Sequence, residues 1–168
     1  AKKSLGQNFL IDKNIIKKII DIKQISKKNI VEIGPGNGSL TDEILKRKPN
    51  DLILVEKDWM LSKKLKEKYK NDKRVKIYNV DILKINLENI LKKNTIVFGN
   101  LPYNISSQIL IRFIKLKNSS SFTDLIFMFQ KELGEKIIAK FNTSNYGRLS
   151  ILTNLRLKIM NKFLVSRN

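Results

Sequence analysis

The sequence predicts an α/β fold, a mostly parallel sheet with helices on both faces. Short, nearly continuous apolar runs alternate with stretches whose apolar residues recur every three to four positions. Such runs suit strands buried on both sides, and strand–helix alternation implies a sheet wrapped by helices. There is no internal repeat and no linker, and 168 residues favour one domain.

The elements follow in order. Asp12 caps a helix whose Ile15, Ile16, Ile19 and Ile20 form one apolar stripe. Ile30-Val31-Glu32-Ile33 is the first strand, broken by Gly34-Pro35-Gly36, and Ser39 caps a second helix with Leu40, Ile44 and Leu45. Leu52 to Val55 is a strand ending at Glu56, followed by a lysine-rich helix after Asp58. Val75 to Tyr78 is a third strand, ending near Asp81, and Thr95 to Phe98 a fourth, running into Gly99-Asn100-Leu101-Pro102-Tyr103. A helix is expected from about Asn104 to Leu116, a loop over Asn118–Ser121, a fifth strand over Leu125–Phe129 and a helix over Glu132–Phe141. After a loop over Asn142–Gly147, the alternation in Leu155 to Val165 suggests a last strand.

Composition narrows the chemistry. With 42% hydrophobic residues the chain can bury a core and is not disordered on composition. Cysteine and histidine are both absent, which removes disulfides, thiolate nucleophiles, the commonest general base and the commonest metal ligands. No metal is expected. Carboxylates, amides, hydroxyls or a reactive cofactor must carry any catalysis. The longest apolar run, Leu125 to Phe129, falls far short of the ~18 residues of a membrane span. The start, Ala1 to Gly6, has no signal-peptide core. A cytoplasmic setting without membrane attachment is the expectation. Net charge is +19, which attracts polyanions such as nucleic acid. Lys, Ile and Asn are abundant throughout, as an A+T-rich genome would impose, so charge by itself does not locate a binding face.

In such a sheet, ligands sit beyond the carboxyl ends of the strands. Four strand ends carry distinctive residues. Gly34, Gly36 and Gly38 in Glu32-Ile33-Gly34-Pro35-Gly36-Asn37-Gly38 let backbone approach a ligand, with helix N–H groups beyond. The loop alone does not separate a pyrophosphate cofactor from another nucleotide. Glu56 lies 22 positions past Gly34, near the distance at which an acid accepts ribose hydroxyls. Asp81 can accept from an adenine amine while Ile82 covers the ring; a plain turn-initiating aspartate is the alternative. Asn100-Leu101-Pro102-Tyr103 offers two acceptors, the Asn100 amide and the Leu101 carbonyl. Pro102 holds Leu101 extended, and Tyr103 adds an aromatic platform. That set suits an adenine amine held out of its stack; a helix-entry turn with a core tyrosine is the bland alternative.

Several motifs occur in order: Gly6-Gln7-Asn8-Phe9-Leu10, Glu32 to Thr41, Val55-Glu56-Lys57-Asp58, Asn100 to Ser106, Gln130-Lys131-Glu132 and Tyr146-Gly147-Arg148-Leu149-Ser150. Together, from about Leu5 to Val165, they resemble the ribosomal RNA adenine dimethyltransferase family, most closely its bacterial KsgA type. They are less similar to the antibiotic-resistance Erm branch, which acts on large-subunit RNA. The resemblance implies the Rossmann-like class I S-adenosylmethionine-dependent methyltransferase fold. It implies methyl transfer from S-adenosylmethionine to adenine amines of small-subunit (16S) ribosomal RNA, leaving S-adenosylhomocysteine. The implied partner is the small-subunit precursor, the implied state a monomer. Asn8, Leu10, Gly34, Gly36, Glu56, Lys57, Asp81, Ile82 and Asn100 would line the cofactor site. Asn100, Leu101, Pro102 and Tyr103 would hold the target adenine.

Two competing readings remain. One is a non-catalytic assembly or transcription factor on the same fold, whose mark would be loss of the Asn-Leu-Pro-Tyr acceptors. The other is a nicotinamide-dependent oxidoreductase, for which the glycine loop lacks the Gly-x-Gly-x-x-Gly spacing. The whole chain, 1–168, is expected to be the catalytic domain. Family members continue into another strand and a small helical RNA-binding domain, which this chain lacks. With no initiator methionine and no closing helix, a fragment is expected.

Overall fold

The computed structural model describes residues 12–117 and 121–165. Five strands form one sheet in the order β3-β2-β1-β4-β5, and every adjacent pair is parallel. They are β1 (Asn29–Ile33), β2 (Asp51–Glu56), β3 (Val75–Asn79), β4 (Thr95–Asn100) and β5 (Phe122–Met128). The chain builds outward from β1 through β2 to β3, then returns to lay β4 on the other side of β1. Between β1 and β4 the winding direction reverses, which is where such sheets open a crevice at their carboxyl ends.

Helices cover both faces, as expected. Side chains alternate across the sheet, so even-numbered residues of β1, β2 and β4 share one face. There Ile30, Leu52, Leu54, Ile96 and Phe98 pack under α1 (Lys13–Ile20), α2 (Ser39–Lys46) and α3 (Trp59–Lys68). On the other face Val31, Ile33, Ile53, Val55 and Val97 pack with Ile109 and Phe113 of α4 (Ser106–Ile114) and with the turn around Leu87. Leu110 and Ile114 on α4 also meet Ile137 of α5 (Lys131–Ile137) and, beyond it, α6 (Arg148–Arg156). Full burial of each such side chain is worth roughly 1.5–3 kcal/mol.

Asp12 caps α1 as expected, its carboxylate accepting from the Asn14 and Ile15 amides. Asp58 does the same for α3 through Met60 and Leu61. Three expectations are corrected. Gly38, not Ser39, is the N-cap of α2; its φ of 82° is left-handed, and Ser39 is already helical. The helix after Gln130 ends at Ile137, short of Phe141. The stretch Leu155 to Val165 is not a strand. Leu155 and Arg156 close α6, and residues 157–165 join no sheet. Asn118 to Ser120, expected in a loop, lie outside the described residues.

Candidate active site at the carboxyl ends of the strands

The loop after β1 turns sharply because Gly34 takes a left-handed φ of 67°. Its amide donates to the Val55 carbonyl, fastening it to the end of β2. A Cβ at Gly34 would stand 3.5 Å from the Asn100 carbonyl oxygen, so the β1 and β4 ends approach closely at the crevice. Gly36 is buried, and its amide donates to Glu56 Oε2 at 3.2 Å. Asp58 N donates to Glu56 Oε1 at 2.8 Å. Glu56 is therefore a buried acceptor, 6% exposed, that ties the glycine loop to the start of α3. Burial pushes its carboxyl above the usual range, against the pull of these two amides. The Lys57 amide also faces this carboxylate; a carboxylate has about four acceptor positions, which leaves one for a ligand hydroxyl.

The β3 end is fastened to the same strand. Val80 N and Asn79 Nδ2 both donate to the Glu56 carbonyl, at 3.2 and 2.9 Å. Asp81 Oδ1 accepts from the Leu83 amide at 2.9 Å, and Lys57 Nζ lies 2.9 Å from Asp81 Oδ2. Partial burial acts to raise the Asp81 carboxyl, but the Leu83 amide and the Lys57 ammonium outweigh it and hold it below the usual range. Ile82 is buried among the apolar residues of the α4 face. Asp81 and Ile82 thus combine a charged acceptor with an adjacent apolar surface.

At the β4 end, Asn100 is partly exposed, Leu101 is buried, Pro102 is partly exposed and Tyr103 is 37% exposed. Leu101 is pinned in the core beside Ile109 and Phe113, which fixes the backbone between Asn100 and Pro102. Tyr103 is not a core tyrosine; its carbonyl accepts from Ser106 Oγ at the start of α4. Even numbering places Asn100 on the same face as Glu32 and Glu56. The structure thus brings Gly34, Gly36, Glu56, Lys57, Asp81, Ile82, Asn100, Leu101, Pro102 and Tyr103 to one edge of the sheet. Asn8 and Leu10 lie outside the described residues.

Two residues given no role from the sequence matter here. Glu32, 1% exposed, accepts from Thr41 Oγ1 at 2.7 Å. Burial pushes its carboxyl up to about 8. The Thr41 hydroxyl opposes this, nearby Asp42 and Glu56 add to it, and Lys68 opposes it. Its signal was a lone acid inside an apolar strand. Arg112 on α4 donates to the Ile82 carbonyl at 2.8 Å and to the Ile85 carbonyl at 2.6 Å. Its signal was a charge inside the apolar run Ile109 to Ile114.

A parallel sheet wound outward from β1, with glycine, carboxylate and amide groups at its carboxyl edge, defines a nucleotide-type α/β binding domain. The chain belongs to the ribosomal RNA adenine dimethylase family, whose profile matches residues 1–162. It is 52% identical over 160 residues to the ribosomal RNA small subunit methyltransferase A of Pelagibacter ubique (strain HTCC1062), covering 95% of this chain and 60% of that protein. The protein of the same name from Mycoplasmopsis synoviae (strain 53) is 39% identical over 168 residues, 100% of this chain and 63% of the relative. Among solved structures, a dimethyladenosine transferase from Plasmodium falciparum superposes with a TM-score of 0.76 at 30% identity, over 88% of this chain and 52% of that one. The 23S rRNA methyltransferase ErmE is more distant, with a TM-score of 0.70 at 27% identity over 87% and 55%. The chain spans about three fifths of the length of the curated relatives it matches.

Proposed function

We propose that this chain, residues 1–168, is the donor-binding catalytic domain of an enzyme that dimethylates adenine amines in small-subunit (16S) ribosomal RNA during ribosome biogenesis. The methyl donor is S-adenosylmethionine and the product S-adenosylhomocysteine. The observation that carries this reading is the Asn100–Tyr103 segment at the end of β4, at the winding reversal and against Gly34. Family membership and the small-subunit names of the relatives support it. The enzyme acts as a monomer in the cytoplasm on ribosomal RNA in the small-subunit precursor.

The residues present fit the donor. Glu56 is a buried acceptor suited to ribose hydroxyls, Asp81 an ionised acceptor for an adenine amine, and Ile82 an apolar cover for its ring. Gly34, Gly36 and Asn100 line the crevice between them, and Lys57 holds Asp81 in place; Asn8 and Leu10, which the resemblance assigns to the donor, lie outside the described residues. When bound, S-adenosylmethionine supplies a methyl group already activated on a sulfonium, so the protein contributes placement and electrostatics. That accounts for catalysis without His or Cys.

The target amine is a poor nucleophile because its lone pair is delocalised into the purine. Asn100 Oδ1 and the Leu101 carbonyl accept its two hydrogens and draw the nitrogen toward tetrahedral geometry. Pro102 holds Leu101 extended, and Tyr103 stacks on the base. Near-attack placement of this kind contributes about 7–11 kcal/mol in favourable cases. With the donor bound, its sulfonium would supply the methyl group and leave as S-adenosylhomocysteine, and the amine proton would leave to water.

The experiment is methyl transfer from labelled S-adenosylmethionine to ribosomal subunits lacking the modification. Label in small-subunit RNA as dimethyladenosine supports the proposal. Label in large-subunit RNA moves the enzyme to the Erm branch, and no label in either leaves an RNA-binding factor.

A further inference from the structure

The single tryptophan of the chain, Trp59, is 61% exposed. An aromatic of that size is normally buried unless it has a partner. Trp59 opens α3 three residues after Glu56, so it sits on the rim of the candidate site. At 100° per residue, Trp59, Lys63 and Lys66 fall on one stripe about 60° wide, while the buried Leu65 lies about 120° round the helix from Trp59. Lys63 Nζ lies 5.4 Å from the centre of the Trp59 ring. Among the described residues neither Lys63 nor Lys66 forms an ion pair, whereas Lys57, Lys68 and Lys70 each do.

We propose that this stripe is a second RNA-contacting surface, on which Trp59 stacks an unpaired base flanking the target adenine while Lys63 and Lys66 follow the phosphates away from the site. A lysine-rich composition explains the cations but not the exposed tryptophan among them. Aromatic platforms interleaved with unpaired cations are how single-stranded nucleic acid is held without sequence readout. From Trp59 to Lys66 the stripe runs about 10 Å along the helix, a span of a few nucleotides. The inference rests on the RNA-directed function proposed above.

The lone tryptophan makes the test direct. The chain is titrated with a fluorescein-labelled oligoadenylate, and the anisotropy of the RNA and the emission of Trp59 are followed together. The expected result is quenching of Trp59 in step with the anisotropy rise. Trp59→Ala should weaken binding by roughly 5- to 150-fold and Trp59→Phe should restore most of it. Lys63→Gln with Lys66→Gln should flatten the log–log salt dependence by about 0.7 per lysine. Unfolding curves of the variants should overlay the wild type, since these side chains are exposed. If anisotropy rises while Trp59 emission stays constant and Trp59→Ala binds as well as wild type, the surface is wrong, although RNA still binds elsewhere. If neither signal changes, the surface is overturned; methyl transfer to small subunits then decides separately whether the function stands. A response of Trp59 to phosphatidylserine vesicles but not to RNA would assign the stripe to a lipid surface and also overturn the proposal.

Discussion

Arg112, on the helix that follows the Asn100–Tyr103 segment, donates to the carbonyl of Ile82, the residue beside Asp81. One guanidinium thereby ties the helix behind the segment proposed to hold the target adenine to the turn proposed to hold the donor's adenine.

Removing that tie should affect both sides. Arg112→Ala leaves the Ile82 and Ile85 carbonyls without their charged donor, at a cost on the order of 1–3 kcal/mol. Donor affinity should fall with stability, and Arg112→Lys should recover only part of it because one ammonium cannot reproduce the fork. Denaturant unfolding and calorimetric titration with S-adenosylhomocysteine check this. Wild-type affinity in Arg112→Ala would mean the turn is held without it.

Glu32 should make stability pH-dependent. Its folded pKa, about 8, lies above the ordinary 4.5. The folded state therefore holds the proton more tightly than the unfolded chain. The stabilisation is complete below the ordinary value and is lost as pH rises through about 8. Glu56, also raised, acts with the same sign. Melting temperature should decline across this window, with a slope of at most about 1.4 kcal/mol per pH unit per group. Glu32→Gln should flatten the decline, since the amide does not ionise and can still accept from Thr41. An unchanged pH profile in that variant would place the titration elsewhere.

Glu56→Gln should separate a ligand role from a structural one. The amide keeps one acceptor oxygen but loses the charge. Hydrogen bonds to a charged partner are worth about 1.5–3 kcal/mol, so donor affinity should fall roughly 10- to 150-fold. Stability should fall less than in Glu56→Ala, which abandons the Gly36 and Asp58 amides together. Undiminished donor binding in both variants would remove Glu56 from the site.

Two of the three glycines of the loop, Gly34 and Gly38, should respond differently to alanine. At Gly34 a Cβ meets only the Asn100 carbonyl oxygen, at an ordinary 3.5 Å. The cost there is mainly the left-handed backbone, about 1–2 kcal/mol. At Gly38, with φ 82°, the Cβ would stand 2.5 Å from Tyr69 Oη. Tyr69 donates to Asp42 at 2.8 Å and is held in the core. Gly38→Ala should therefore destabilise more than Gly34→Ala, as read by chemical denaturation, and the reverse order would contradict this packing.

The strands were legible because each is an apolar run too short for a helix, and their parallel order followed from the alternation. That the candidate residues from Gly34 to Tyr103 gather at one edge of the sheet was legible because they follow the strand ends; what each of them binds is proposed. The last helix was not. Its inward positions include Ser150 and Thr153, whose hydroxyls bond to the Lys136 and Leu149 carbonyls. Leu155, at its end, is 72% exposed. With polar residues inside and an apolar one outside, the helix shows no apolar stripe, and the strand expected over Leu155 to Val165 overlaps it only at Leu155 and Arg156. Arg112 and Glu32 were visible as charges in apolar runs, but their partners, a turn carbonyl and a threonine hydroxyl, are set only by the tertiary fold.

The central claim is that Asn100 and the Leu101 carbonyl hold the target amine, and Tyr103 its base, while the donor site lies beside them. Single-turnover methyl transfer to small subunits lacking the modification tests it most directly. Asn100→Ala removes one acceptor and leaves the Leu101 carbonyl, so by analogy with loss of one preorganised donor the rate should drop about 10²–10³-fold. Tyr103→Ala loses the stacking surface, worth about 1–3 kcal/mol, while Tyr103→Phe keeps most of the rate. Donor affinity should change less in Tyr103→Ala than in Asp81→Ala. Methyl transfer by Asn100→Ala at the wild-type rate would contradict the acceptor mechanism outright.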